Sequence, residues 1–174
     1  MGWTHSVGAG RLWDMDNGES ARKPLAGDRK CRLMEIVSCK ENAIPDGCDP
    51  LTRAVVVARR DGDVLLVLDK TKHSWELPGG CIQGDESPRD CIVREFTEET
   101  GQDPWYLEFV GVYRLEFRQG NRVEYGALFE SKFADLRLFV PSRDVAKLEV
   151  WNPAKKLEGM EPIDRELALF VLKS

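Results

Sequence analysis

Residues 80–102 read GCIQGDESPRDCIVREFTEETGQ, a tight turn followed by a helix with an unusual concentration of charge. Ser87 suits the N-cap, Pro88 the first helical position, and Asp90 the place of a short acidic capping-box partner. Ile92 and Phe96 fall on one apolar face, and Gly101 suits the C-terminal turn. Glu95, Glu98 and Glu99 stand at i, i+3 and i+4, so three like charges accumulate along the polar face. A hard oxygen-seeking cation such as magnesium would offset that repulsion. The ordinary alternative is a solubilising surface whose acids pair with basic neighbours such as Arg94.

The flanks supply what the helix would pack on. Upstream, residues 54–58 and 64–68 are apolar runs separated by Asp61-Gly62, the pattern of two covered strands in a hairpin. Trp75-Glu76-Leu77 suits a further short strand before Pro78-Gly79-Gly80 changes the chain direction. Downstream, residues 105–117 are rich in strand-compatible side chains. Gln119-Gly120-Asn121 can turn the chain into a strand over 122–130, and another fits 145–151. Pro162 suits the start of a final helix in which Ile163, Leu167, Phe170 and Val171 recur at helical spacing. Residues 33–37 suit either a strand or a helical turn, and residues 1–30 show no sustained periodicity. The expected organisation is residues 1–50 as an N-terminal extension, or added sheet elements, packed on a domain over 51–174.

A length of 174 residues with 42% hydrophobic content fits one domain with a substantial core. The net charge of −5 gives no general attraction to nucleic acid or to an anionic membrane. A polyanion would have to be met by a bound cation and a few focused Arg or Lys side chains. The five cysteines, Cys31, Cys39, Cys48, Cys81 and Cys91, show no paired CxxC arrangement and read as free thiols of a reducing compartment. Two histidines are too few for a multi-histidine zinc centre. No long apolar run and no apolar core of a secretory signal occur, so cytoplasmic residence without a membrane partner is expected.

Gly80, five intervening residues, Glu86, seven more, then Arg94-Glu95-Phe96-Thr97-Glu98-Glu99-Thr100-Gly101, resembles the signature box of the Nudix hydrolases. The specific likeness covers residues 80–102, and a looser one extends over 52–152. Gln102 departs from the aliphatic residue usual at the last box position, which is expected to weaken local packing. The resemblance implies an α+β fold, an α/β/α sandwich around a central mixed sheet. It also implies a pyrophosphohydrolase that uses Mg2+, with Mn2+ as a substitute.

By the same resemblance Glu95, Glu98 and Glu99 coordinate the metal, and one of them takes a proton from the attacking water. Which one is the base stays open. The Gly80 carbonyl could join the metal, while Glu86 and Arg94 form the salt-bridge network that orients loop and helix. Another acid often comes from a later strand or loop: Glu149 is the candidate here, with Glu130, Asp135 and Asp144 as alternatives. An exposed position on an alternating strand explains Glu149 equally well.

A nucleoside triphosphate, cleaved to the monophosphate and pyrophosphate, is the leading substrate class. The alternatives are a nucleotide sugar, a dinucleoside polyphosphate, an RNA 5′ diphosphate, or a noncatalytic nucleotide-binding module. Phe117-Arg118-Gln119 occupies the region where many ADP-ribose hydrolases carry a marker proline, and the tyrosine associated with dinucleoside-polyphosphate members is also missing there. Arg53, Lys70 and Arg122 are candidates to meet phosphates, and Trp75 to stack on a base, although surface solvation and core packing suit the same residue types. The expected partner is a nucleotide-type small molecule, with an RNA 5′ end less favoured. A homodimer through the N-terminal segment or the final helix is open.

Overall fold

The computed structural model describes residues 23–174. The apolar runs flanking Asp61-Gly62 form β3 (Leu51–Arg60) and β4 (Asp63–Asp69). Asp61 and Gly62 both take positive φ, 52° and 88°, the backbone that matches the twist of a two-residue hairpin. The two strands pair only beside the turn, Arg59 with Val64 and Arg60 with Asp63. Beyond it β6 (Gly79–Cys81) pairs with β3, setting Gly80 opposite Ala54, while β5 (Trp75–Glu76) and β9 (Val145–Trp151) pair with β4.

The opposite edge of β3 runs parallel to β8 (Arg122–Lys132), and this one parallel pairing makes the sheet mixed. From β8 the sheet continues antiparallel through β7 (Leu107–Phe117), β2 (Cys31–Ser38) and β1 (Ala26–Gly27). Residues 33–37 are therefore strand, and Leu33 is fully buried. This segment upstream of residue 50 adds two strands to the β7 edge; residues 1–22 lie outside the described residues.

Side-chain alternation along β3 feeds two cores. Ala54, Val56 and Ala58 pack with Cys91, Ile92 and Phe96 of α1 (Pro88–Thr100). Val57 joins the opposite core with Leu167, Ala168 and Val171 of α2 (Pro162–Lys173). A strand with both faces covered reads as a continuous apolar run, which is why residues 54–58 carry no polar member. The result is the expected α/β/α sandwich. No helix among the described residues is long and apolar enough to cross a membrane, and all five cysteines are free.

Candidate active site

The start of α1 is fixed by Ser87, whose Oγ accepts the Asp90 N–H at 3.1 Å while its hydroxyl donates to the Asp90 carboxylate at 2.6 Å. The Asp90 side chain thus closes the cap on the hydroxyl of Ser87, a variant of the capping box, which reaches back to the N-cap backbone. Gly101, at φ 67°, ends the helix by donating its N–H to the Thr97 carbonyl.

Arg94 projects from this helix onto the preceding loop. It donates to Glu86 through Nε to Oε1 at 2.8 Å and Nη2 to Oε2 at 2.9 Å, and through Nη2 to the Cys81 carbonyl at 3.4 Å. Glu86 in turn accepts the Gln83 N–H. The Arg94 hydrogen bonds pull the Glu86 carboxyl down to about 2. Arg94 also donates through Nη1 to Glu95 Oε1 at 2.7 Å and lies 3.6 Å from Glu98 Oε2.

The three acids do not share one environment. The Glu95 side chain is largely enclosed, whereas that of Glu98 is 62% exposed. Glu99 turns inward, and its Oε2 accepts the Gly79 N–H at 2.9 Å. The expected common polar face therefore splits, because Glu95 and Glu99 accept protein hydrogen bonds while Glu98 stays largely exposed, 3.6 Å from Arg94. As the side chains stand, no three His, Cys, Asp or Glu among the described residues form a group that could hold a metal ion.

The donor set nevertheless fits a divalent cation. Glu95 Oε1 lies so close to Gly80 that a Cβ there would come within 2.2 Å of it. Glu99 is hydrogen-bonded to the adjacent residue, so two carboxylates converge on the Gly79-Gly80 backbone. Burial pushes the Glu99 carboxyl up to about 8, with Glu95 adding repulsion and the Gly79 N–H only partly opposing both. A positive charge beside the two acids would offset that penalty. Glu95, Glu99 and the Gly80 carbonyl would hold such an ion, with Glu98 free to swing in from solvent.

The other expected site residues distribute unevenly. Arg53 and Arg122 come together, both pairing with Glu124, at 3.4 and 2.7 Å, with guanidinium groups 5.7 and 4.5 Å from the Phe117 ring centre. Cys81 is the register partner of Arg53, which places this cluster one residue from Gly80 along the β3–β6 pairing. The Arg53 Nε–H is buried and has no acceptor. Lys70 instead donates to the Ser142 carbonyl. Trp75 is partly buried against the α2-side core, its backbone bonded to Gly159 and Glu161.

Glu149 is exposed and sits opposite Leu66, a residue of the α2-side core, whereas its neighbours Leu148 and Val150 face the α1 side. The β9 register therefore turns Glu149 away from the sheet face that α1 covers. Among the alternatives, Glu130 is taken by Arg59 at 2.6 Å, while Asp135 and Asp144 are exposed.

Two residues matter more than the sequence suggests. Gln102 is buried, where it accepts the Arg137 N–H and donates to the carbonyls of Thr100 and Arg137. In place of weakened packing, the amide pins the 137 segment to the end of α1. Asp164 reads as an unremarkable acid in the first turn of α2. Its carboxylate accepts the Leu77 N–H at 2.9 Å, immediately before the Pro78-Gly79-Gly80 turn.

Comparison with known proteins agrees with this geometry. Over 61 residues, 35% of this chain and 40% of the relative, the sequence is 43% identical to a MutT-like protein of Streptomyces ambofaciens. It is 35% identical over 86 residues to an RNA pyrophosphohydrolase of Xanthomonas oryzae pv. oryzae, covering 46% of this chain and 42% of the relative. The chain thus spans about two fifths of the length of these curated relatives. The fold is like that of a Bacillus subtilis pyrophosphohydrolase, with a TM-score of 0.64 at 16% identity over 82% of this chain and 88% of that one. It is also like that of a MutT NUDIX hydrolase from Burkholderia pseudomallei, with a TM-score of 0.59 at 17% identity over 67% and 94% of the two chains. The model of the NUDIX domain matches residues 50–169, well over half of the sequence. With the box, the sandwich and the converging acids in place, the chain belongs to the NUDIX family.

Proposed function

We propose that this protein hydrolyses a phosphoanhydride bond in a nucleoside 5′-polyphosphate, releasing a nucleoside monophosphate and pyrophosphate from a triphosphate in a magnesium-dependent reaction. The observation that carries this reading is the convergence of Glu95 and Glu99 on the Gly79-Gly80 backbone, with Arg94 clamping the loop that follows. When bound, Mg2+, or Mn2+ in its place, supplies positive charge to the phosphate oxygens. The protein supplies position. Arg94 fixes loop 81–86 against α1, and the Gly79 N–H orients Glu99. Water attacks phosphorus, the bridging P–O bond breaks toward pyrophosphate, and the proton of the water passes to one of Glu95, Glu98 and Glu99. Glu98 is the member that solvent reaches most freely. The paired Arg53 and Arg122 beside Phe117 suit a substrate that joins phosphate charge to a stacking base.

A second reading, hydrolysis of the phosphoanhydride bond of an RNA 5′ diphosphate, is favoured by the name RNA pyrophosphohydrolase carried by a relative that matches over 86 residues. A magnesium-dependent screen of ordinary and oxidised nucleoside triphosphates, ADP-ribose, dinucleoside polyphosphates and 5′-diphosphorylated RNA, with product masses recorded, separates these readings. Release of pyrophosphate from nucleoside triphosphates is expected. Turnover confined to RNA would select the second reading, and metal-dependent binding without any turnover would make the chain a binding module.

A further inference from the structure

The turn Leu77-Pro78-Gly79 is suspended between the two helical layers. Pro78 has no N–H, so Leu77 and Gly79 carry the turn's two backbone donors. Each is taken by a carboxylate from an opposite side of the sheet: Leu77 N–H by Asp164 of α2 at 2.9 Å, and Gly79 N–H by Glu99 of α1 at 2.9 Å. The Pro78 carbonyl accepts the Val56 N–H at 3.0 Å, which ties the middle of the turn to β3. The path from Asp164 to Glu99 is therefore held at three backbone groups, the Leu77 N–H, the Pro78 carbonyl and the Gly79 N–H.

The approach of α2 to this turn is built by the same backbone. Trp75 donates to Gly159 at 2.8 Å and accepts from Glu161 at 3.0 Å, so the segment entering α2 runs alongside β5 before Asp164 reaches Leu77. Leu77 itself is buried at 3% exposure in the α2-side core. Placing a carboxylate beside such a core opposes stability unless it is hydrogen-bonded, and the Leu77 N–H is the bond that Asp164 makes here. An apolar residue at position 164 would continue the core more simply. A polar acceptor there gains its meaning from the turn it holds.

We propose that Asp164 is a positioning residue for the acid site. By holding the Leu77 N–H from the α2 side, it sets the turn so that the Gly79 N–H meets Glu99 and the Gly80 backbone meets Glu95. This inference rests on the proposed role of Glu95 and Glu99, and it makes the Asp164–Leu77 hydrogen bond part of the geometry of the site. Asp164 touches neither substrate nor the reacting atoms in this arrangement; it acts through Leu77, Pro78 and Gly79.

The test compares Asp164→Asn, Asp164→Leu and Leu167→Ala in the full chain. Steady-state turnover of a nucleoside triphosphate with Mg2+ is read beside hydrogen exchange of the Gly79 amide in metal-free protein. Asp164→Asn retains an oxygen acceptor and should keep kcat within about threefold of wild type. Asp164→Leu should lower kcat by about 10- to 100-fold with KM changed less than about threefold, and should speed Gly79 exchange. Leu167→Ala disturbs the same helix through its core face and should leave both readouts near wild type at temperatures where it is folded. The inference is overturned if Leu167→Ala lowers kcat as much as Asp164→Leu, or if Asp164→Leu leaves Gly79 exchange unchanged. Should Asp164→Leu fail to fold, Asp164→Asn decides alone: a kcat loss beyond about tenfold also overturns the proposal. If wild-type protein turns over no nucleoside triphosphate, the proposed activity fails, while Gly79 exchange still reports whether Asp164 holds the turn.

Discussion

Arg94 grips Glu86 with two parallel hydrogen bonds of 2.8 and 2.9 Å, which fastens the loop after Gly80 to the helix that carries the acids. The planar guanidinium fork matches the carboxylate edge, and a lysine ammonium cannot reproduce that fit. Arg94→Lys should therefore lower kcat by about 10- to 100-fold although the charge is kept. Steady-state kinetics together with an Mn2+ titration checks this. Equal kcat and equal Mn2+ affinity in the two proteins would show that the fork is not required.

The adjacent glycines should fail in different ways. A Cβ at Gly80 meets the end of the flexible Glu95 side chain at 2.2 Å, so Gly80→Ala displaces Glu95 and should reduce turnover by about 100-fold with little change in the thermal midpoint. At Gly79, with φ 155°, a Cβ meets the Ala54 carbonyl at 2.4 Å and Val55 Cα at 2.7 Å. Neither backbone atom can move without disturbing β3, so Gly79→Ala should lose at least about 1–3 kcal/mol of stability. Denaturant melts and kinetics on both variants test the contrast.

Gln102→Leu restores an aliphatic residue of the kind usual in this family, yet it should destabilise this chain. It would strip the Arg137 N–H of its acceptor and the Thr100 and Arg137 carbonyls of their donor. The expected loss is about 1–3 kcal/mol in urea unfolding. A gain in stability would mean that leucine packing outweighs the amide bonds.

Asp164 should leave a signature in the pH dependence of metal-free stability. The residue as a whole is partly exposed, but burial of its carboxyl raises it to about 7 from the usual 3.8, with the Leu77 N–H opposing the rise. The folded state then holds a proton that the unfolded chain has released. Its stabilising contribution is complete below about pH 4 and is lost as pH rises toward 7, by up to about 1.4 kcal/mol per pH unit. Glu99, at about 8, acts with the same sign, whereas Glu86, held near 2, acts with the opposite sign at the acid end. Asp164→Asn should flatten the slope between pH 4 and 7 in thermal melts. A slope identical to that of wild type would place the titration elsewhere.

Much of this architecture was legible because it depends on local periodicity. Ser87, Pro88 and Gly101 bound α1 through their own backbone and capping chemistry, and Asp61-Gly62 sets a hairpin turn without help from distant residues. The spacing from Gly80 to Gly101 likewise carries the family, since a turn and one helix face are defined by neighbours in the chain.

What the sequence by itself determined was this turn and helix, the two-faced strands and the spacing that carries the NUDIX family. Tertiary structure alone decided which acids meet. Glu98 is exposed while Glu99 accepts the Gly79 N–H, a difference set by what lies beside α1 and absent from helical spacing. Glu149 faces away from α1 because the β4–β9 register pairs it with Leu66, and a one-residue slip would have reversed it. Asp164 reaches Leu77 across 87 positions of chain, a contact that no local pattern encodes, because it exists only once α2 packs beside the Trp75–Leu77 segment.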